Sequence, residues 1–441
     1  MQEGYVARVL DLIDPSSQRL YAGMTVDEAV AILASEDPSR VREIEGSFAL
    51  AARVDERVIL ARSLDRTLRY FLAKEESGPM LIVAERIDEI QRQLEELGYA
   101  DQFHPSYTRM APAHHTVTLR LIGCPDPNPR YQRFFTPERE VLGTDLDAIG
   151  ERYVGALRAE VHKWLDTVGG SEPLGVCFSG GIDSGAVLIA AYRALLERGQ
   201  SPARLKAFTL SVGDGGADAA QAREFLRRCD LEMLGEEIQV ASERLAPLRA
   251  VEVIEDYKPL DVECATVLLA LLEGIRERYP QWRLLLDGDG GDENLKDYPI
   301  EDNSELTIRS VVNNLMLYQE GWGVDSIKHS LTYSGGLSRG TVRTLAPARR
   351  LGFEGFSPFT RPALVEVAEG IDFAALTQGS HDKLYSLKGE VVRRGMRSVY
   401  GLDFPVFEKR RFQHGAMSGG VPGEVFDVDP ELYRRHFLAR F

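Results

Sequence analysis

Between residues 42 and 122 the chain reads as short apolar runs, SFALAARV, RVILARSL, PMLIVAER and HHTVTLRLI, separated by turn-like or charged stretches such as VDER and KEESG. That rhythm predicts antiparallel β-strands. Within IDEIQRQLEEL, the residues Ile87, Ile90, Leu94 and Leu97 keep helical spacing, and the stretch TVDEAVAILA from Thr25 reads as a capped helix. The first third of the chain is therefore expected to be α+β. The Pro-rich, irregular stretch GCPDPNPRYQRFFTPE (123–138) then breaks the pattern and marks the expected boundary between a first domain, 1–137, and a second, 138–441.

Past that boundary the grammar changes. A long amphipathic helix over 145–168 precedes LGVCFSGGIDSGAVLIAAYRALLER, in which an apolar strand at 175–178 runs into a Gly-rich turn and a helix starting near Ser184. Further buried strands are expected at 205–212 (LKAFTLSV) and 283–286 (RLLL), with helices between them. This predicts an α/β fold with a doubly wound parallel sheet. No internal repeat is visible. The tail after Gln413, HGAMSGGVPGEVFDVDP, is Gly-rich and poor in periodicity, which predicts a mobile segment, a lid or a loose end.

Composition narrows the function classes. With 441 residues, 44% hydrophobic and 27% charged, the chain has ample material for a buried core. The 68 acidic against 52 basic side chains give a formal charge of −16, which disfavours nucleic acid and anionic membranes as partners. The four cysteines, Cys124, Cys177, Cys229 and Cys264, form no C-x-x-C pair, so neither a zinc site nor a disulfide framework is expected. No apolar stretch reaches 18 residues and the N-terminus does not resemble a signal peptide, so the expected location is cytoplasmic.

Chemistry concentrates in two turns. In the first, Ser179-Gly180-Gly181-Ile182-Asp183-Ser184-Gly185, the glycines allow close backbone approach, the helix N-terminus offers free N–H groups, and Ser179 and Ser184 add hydroxyl donors. Such a concavity suits phosphate. Asp183 makes sense there as a ligand of Mg²⁺ bridging phosphate oxygens, which points to a nucleoside triphosphate. A plain Gly-Ser turn opening a helix is the bland alternative. The second turn follows Leu284-Leu285-Leu286 and carries Asp287, Asp289, Asp292 and Glu293 among glycines. Crowding these acids is costly without cations, and the carboxyl end of a buried strand is where α/β sheets bind ligands. A further Mg²⁺ ligand is preferred here over a solvated acidic loop.

SGGIDS after an apolar strand resembles the pyrophosphate loop of the N-type ATP pyrophosphatases, and LDGDGGDE resembles the S-G-[DE]-G-[GS]-D-E signature of asparagine synthetases. The resemblance to the asparagine synthetase and β-lactam synthetase family implies an adenine nucleotide alpha hydrolase-like synthetase domain that uses ATP and Mg²⁺ and adenylates an amino acid-like carboxylate. It implies that Asp183 and Asp292 share magnesium, that Asp289 lies at the reacting centre, and that Ser179, Gly180, Gly181, Ser184 and Gly288 hold the nucleotide. The strand edge at Leu210 and Ser211 would receive adenine. FEGFSPF resembles the family's E-x-R-x-P-F, which makes Glu354 the carboxylate facing the substrate amine, with Phe356 in place of Arg. KRRFQHG resembles the segment of the essential lysine, here Lys409, and Lys388 falls near a second family lysine.

EGSFAL, ARSLDRTLRYFLA, VAERIDEI and MAPAHHTVTL resemble the later half of the family's glutamine-hydrolysing domain, which implies a shortened Ntn-hydrolase-like α+β domain. The family's cysteine nucleophile directly after Met is absent, since the chain reads Met1-Gln2-Glu3. Nitrogen would then come from an amine already on the substrate, as in β-lactam synthetases of antibiotic biosynthesis, or from ammonia. The departures divide between these readings: β-lactam synthetases carry Tyr where Asp289 stands, while Asp287 in place of Ser and Phe356 in place of Arg are foreign to asparagine synthetases. A silent nucleotide-binding homologue is the third reading. A homodimer is compatible with all three.

Overall fold

Leu174–Cys177, Leu205–Val212 and Leu284–Leu286 are runs of apolar side chains that lie almost wholly buried, the condition of strands covered on both faces. In the computed structural model, which describes residues 8–75, 78–121, 129–213, 215–297, 341–407, 415–417, 421–426 and 429–441, they form the middle of a five-stranded sheet. Its order is Gly235–Val240, Leu205–Val212, Leu174–Cys177, Leu284–Leu286 and Glu354–Phe356, with every pair parallel. The chain starts in the centre, builds outward on one side, then crosses to build on the other. Connections leaving Leu174–Cys177 and Leu284–Leu286 thus diverge, and this reversal opens a crevice at their carboxyl ends.

Alternation along the strands sends Val176, Leu284, Leu286 and Phe356 to one face, where they pack with side chains of helices Leu146–Asp166, Ile182–Glu197 and His381–Tyr400. Phe208, Leu210 and Leu285 turn to the other face, against Val267, Leu271 and Ile275 of helix Pro259–Arg278. Glycine sets one of these contacts. A Cβ on Gly395 would lie 2.1 Å from the Gly150 carbonyl oxygen, and one on Gly150 would lie 2.6 Å from the Val391 oxygen. Helices Leu146–Asp166 and His381–Tyr400 therefore touch backbone to backbone, which brings the earlier turns of His381–Tyr400 over the crevice.

Earlier in the chain stand two four-stranded sheets, one ordered Arg8–Asp11, Gly78–Ala84, Arg69–Glu75, Arg109–Met110 and the other Arg130–Arg133, His115–Arg120, Arg57–Arg62, Ala49–Val54. They face each other through Val58, Leu60, Val117 and Leu119 against Tyr70, Leu81 and Val83. Helix Val26–Ala34 covers the outer side of one sheet, and helix Ile87–Glu96 covers that of the other. The antiparallel expectation over 42–122 is met, while Arg8–Asp11, before that stretch, pairs parallel with Gly78–Ala84. Arg130–Arg133 is a strand inside the stretch expected to be irregular.

Charge ties these layers to the parallel sheet. Arg361, buried, donates to the Gly46 carbonyl at 2.6 Å and pairs with Asp65 at 2.5 Å, which holds the buried Asp65 carboxyl down at about 2. Glu255 accepts from the N–H groups of Ile87 and Asp88 and pairs with Arg69 and Arg86.

Part of the Gly-rich stretch is docked, and so are the residues that follow it. Ala416 and Met417 are buried, with the Ala416 carbonyl accepting from the Val212 N–H at 3.1 Å, and Tyr433, Phe437 and Phe441 of the last helix pack with Val251 and Ile254. Apolar side chains spaced at four residues, which the Gly-rich stretch before them obscures, fix that helix. The lid reading over 414–423 rests in part on residues outside those described. No described helix is long and apolar enough to cross a membrane.

Gly395→Ala is expected to cost about 1–3 kcal/mol by forcing the two helices apart. Gly155→Ala, in the same helix as Gly150 but with no atom within 4 Å of the new Cβ, should instead stabilise by up to about 1 kcal/mol. Urea unfolding of the two variants reads the opposite signs.

Candidate active site

The two acidic turns meet because their strands are neighbours: Leu174 to Val176 pair residue by residue with Leu284 to Leu286. After Cys177 the chain enters the turn through Gly180, whose φ of +73° and whose closeness to the Ala222 backbone, 2.7 Å from any added Cβ, demand glycine. Helix Ile182–Glu197 then starts at Ile182, two residues earlier than expected, because the extended Gly181 serves as its N-cap. The Ser184 hydroxyl accepts the Ser179 N–H at 3.3 Å and lies 3.2 Å from the Ser179 hydroxyl, while Gly181 N–H donates to Ser179 Oγ. These bonds hold the turn as a cup under the N-terminus of a 16-residue helix.

The second turn lies directly against the first. A Cβ on Gly288 would sit 2.7 Å from the Ser184 nitrogen, and one on Gly291 would fall on the Asp183 carboxylate. Glycine at these positions is what lets Asp183 and Asp292 share one space. The Lys388 ammonium, from helix His381–Tyr400, bonds both carboxylates, lying 2.5 Å from Asp183, and stands 3.7 Å from Asp297. Burial alone would lower the Lys388 pKa, but the three carboxylates hold it well above the ordinary value, so it remains a cation. Asn294 fixes the turn from behind, its amide donating to the Tyr153 hydroxyl at 3.2 Å and to the Phe359 carbonyl at 3.0 Å.

Asp287 and Asp289 form the floor beside this pair. Strand pairing continues one residue past Leu286, with Asp287 N–H donating to the Phe356 carbonyl, so the Asp287 carboxyl meets Ser357. Thr344 donates its hydroxyl to Asp289, and the adjoining Arg343 donates to Asp261 at 3.0 Å. Asp297, Thr344, Arg343 and Ser357 carry no motif that distinguishes them in the sequence. Asp287 did have a signal, the carboxylate standing where the resembled signature has Ser.

Not every expected residue reaches the crevice. Glu354 does not: the parallel register sets it level with Leu284, at the amino end of the sheet, where it pairs with Arg19 and, at 3.2 Å, with Arg283. A carboxylate there cannot face a substrate held at the carboxyl ends. Phe356, in place of the resembled Arg, stacks on Trp164 at 5.0 Å and 3° and belongs to the core. Leu210 and Ser211 lie near the carboxyl end of Leu205–Val212, both buried. Lys409, with its neighbours Arg410 and Arg411, lies outside the described residues.

Residues 161–334 match the model of the asparagine synthase family. No curated protein matches the chain. Among solved structures, the chain is similar to glutamine phosphoribosylpyrophosphate amidotransferase of B. subtilis complexed with ADP and GMP, at 12% identity over 48% of this chain and 53% of that one, with a TM-score of 0.17. It is likewise similar to an allosteric regulatory enzyme of purine biosynthesis, at 12% identity over 49% and 54% of the two chains, with a TM-score of 0.18. The chain thus spans about half the length of each of these structures.

Lys388→Met removes the cation between two neighbouring carboxylates and should destabilise the ligand-free protein by about 3–5 kcal/mol, while added Mg²⁺ should raise its Tm more than that of the wild type. Thermal unfolding with and without Mg²⁺ checks both. Glu354→Gln is expected to lower Tm while leaving turnover within about threefold, since it breaks ion pairs remote from the chemistry; steady-state kinetics beside the melt separates the two effects.

Proposed function

We propose that the protein is an ATP-dependent carbon–nitrogen ligase that adenylates a substrate carboxylate and closes an amide bond, releasing AMP and pyrophosphate. The observation that carries this reading is the contact of two glycine-lined, carboxylate-bearing turns at the reversal point of a parallel sheet, inside the stretch matching asparagine synthase. ATP supplies the energy as substrate. Its pyrophosphate portion fits the cup of Ser179, Gly180, Gly181 and Ser184, where N–H groups and the helix N-terminus favour negative charge.

Asp183 and Asp292 are the proposed Mg²⁺ ligands. They fit the ion: two hard carboxylate oxygens, placed together by glycines and already gathered around a cation, leave the remaining positions to phosphate and water, as Mg²⁺ prefers. The ion would neutralise charge on the phosphate oxygens. Lys388 then stays beside the same carboxylates and adds a fixed positive charge next to the departing pyrophosphate. Lys409 is proposed as a second cation for that charge. Adenine is placed at the backbone edge of Leu210 and Ser211. Phe208 and Val212 bond Phe178 and Ala416 on one side of this strand, and the two-residue alternation turns the Leu210 peptide groups to that same side.

The carboxylate oxygen of the substrate attacks the α-phosphorus, giving an acyl-adenylate. The amine then attacks the acyl carbon, the C–O bond to AMP breaks, and the amine protons leave. Asp289, adjoining the crevice and held by Thr344, is the proposed acceptor of the first proton. The nitrogen source in this proposal is not glutamine hydrolysis. We favour an amine carried by the substrate itself, closing a ring as in β-lactam synthetases. The acid at position 289 favours the second reading, ammonia-dependent amidation as in asparagine synthetases. A cytoplasmic, homodimeric enzyme acting on a small amino acid-like substrate completes the proposal.

The test is formation of AMP and pyrophosphate from Mg²⁺-ATP across amino diacids and their N-acylated and β-amino variants, with and without ammonium. A product one water lighter than its substrate, formed without ammonium, supports ring closure; turnover only with ammonium supports amidation. Asp292→Asn should lower either activity by at least about 100-fold. Equal formation of AMP by wild type and Asp292→Asn would overturn the assignment.

A further inference from the structure

Asp287 is an acid the proposed chemistry does not use. It is almost wholly buried, and among the described residues no lysine or arginine forms an ion pair with it. Arg361, whose charge reaches it, is committed to Asp65 at 2.5 Å. Asp65 itself faces Asp287 as a negative charge, and the Cys177 thiol, raised by burial and by both turn carboxyls, faces it as a neutral group. Asp289 is in a similar position. Arg343 reaches it but is committed to Asp261 at 3.0 Å, and Glu293 adds a further negative charge. Among the described residues, the cations that reach the pair are each committed to another acid, which disfavours both carboxyls standing ionised together.

The hydrogen bonds show where a proton fits. Ser357 Oγ lies 2.6 Å from Asp287 Oδ1 and 2.8 Å from Asp287 Oδ2. A hydroxyl has one proton, so it makes a full bond to only one of them and at best a weaker, shared one to both. The second contact is satisfied when the carboxyl carries a proton on Oδ2 and donates it to Ser357 Oγ, closing a ring of two bonds. Asp287 Oδ1 also accepts the Asp289 N–H at 2.9 Å, which ties the backbone of the second acid to the first.

We propose that Asp287 is a positioning residue that stands as a neutral acid at neutral pH, locked to Ser357, and so leaves Asp289 as the single carboxylate that takes the amine proton. This rests on the ligase reading of the site. The protonation pattern has the physics of paired acids in low dielectric, where one proton serves two groups. Burial raises both carboxyls above the ordinary range, and the charge of either one raises the other, so the pair holds one proton more readily than two charges; the contacts with Ser357 place that proton on Asp287. In the reaction the Asp289 carboxylate takes a proton from the substrate ammonium, leaving a neutral amine. Its lone pair forms the C–N bond, the C–O bond to AMP breaks with its electrons leaving on AMP, and the second nitrogen proton passes to water.

The test uses the full-length chain with infrared difference spectroscopy and kinetics. The wild-type minus Asp287→Asn difference spectrum should show the carbonyl stretch of a protonated carboxylic acid at neutral pH, titrating away as pH rises. Absence of that band from the difference spectrum overturns the proposal. Turnover supplies a second arm: Asp287→Asn, whose amide reproduces the bonds of a neutral acid, should stay within about threefold of wild type, while Asp287→Ala should lose more than about tenfold and Asp289→Asn at least about 100-fold. Equal loss in Asp287→Asn and Asp287→Ala also overturns it. Should no variant and no wild-type preparation form AMP, the ligase reading fails while the infrared band still decides the state of Asp287.

Discussion

The parallel pairing of Leu174–Cys177 with Leu284–Leu286 is the constraint from which the site follows. These strands are separated by more than a hundred residues, yet their in-register pairing makes the turns after them neighbours. Both turns carry an acid; the second needs glycine where it meets the first, Gly288 and Gly291 against Asp183, and the first needs Gly180 where it meets the backbone at Ala222. Were either strand to slip by one residue, its side chains would exchange between the two cores and the carboxylates would separate. The apolar core and the polar site are therefore set by one decision about register.

That register brings like charges together, and the structure answers with cations placed by other elements. Lys388 arrives on helix His381–Tyr400, whose contact with helix Leu146–Asp166 requires Gly150 and Gly395. Arg343 arrives on the segment that leads into the last strand and spends its charge on Asp261. Among the described residues, Asp287 and Asp289 each bond a hydroxyl rather than a cation, and this difference separates their chemistry from that of Asp183 and Asp292. A charge that a lysine meets is ready to meet a metal ion; a buried carboxyl that meets a hydroxyl in place of a cation is ready to hold a proton.

Much of this was legible in the residues because two signals coincide at the site: apolar runs that can only be buried strands, and glycines followed by acids. Leu205–Val212 was read to its ends, since nearly every side chain is buried and both ends carry turn residues. Gly235–Val240 escaped notice because it is an edge strand whose sequence, GEEIQV, buries only Ile238 and Val240. Glu354–Phe356 escaped for a different reason. Three residues carry no periodicity, and reading EGFSPF as a motif gave Glu354 a role without giving it a direction. Position along a parallel strand decides whether a side chain reaches the chemistry, and only the pairing of Glu354 with Leu284 supplies that position. Thr344 and Ser357 could not be found at all, because an isolated hydroxyl becomes significant only through its acceptor.

The misplaced glutamate shows how the sheet divides its labour. At the carboxyl ends, turns rich in glycine leave room for a ligand. At the amino ends, Glu354 joins Arg283 and Arg19, and Arg19 in turn donates to Thr167, so the second strand pair of the early layers, Arg19–Leu20 with Gly46–Ser47, is fastened to the sheet from below. Arg361 completes the attachment through the Gly46 carbonyl and Asp65, only four residues beyond Ser357. One short segment after the last strand thus carries both the hydroxyl that holds Asp287 and the guanidinium that anchors the early layers. A shift of those layers would move Arg361, and with it the segment on which Ser357 and the neighbouring Asp287 depend. The early sheets need no chemistry of their own to matter to the site, because they fix the geometry of an acid pair that tolerates little displacement.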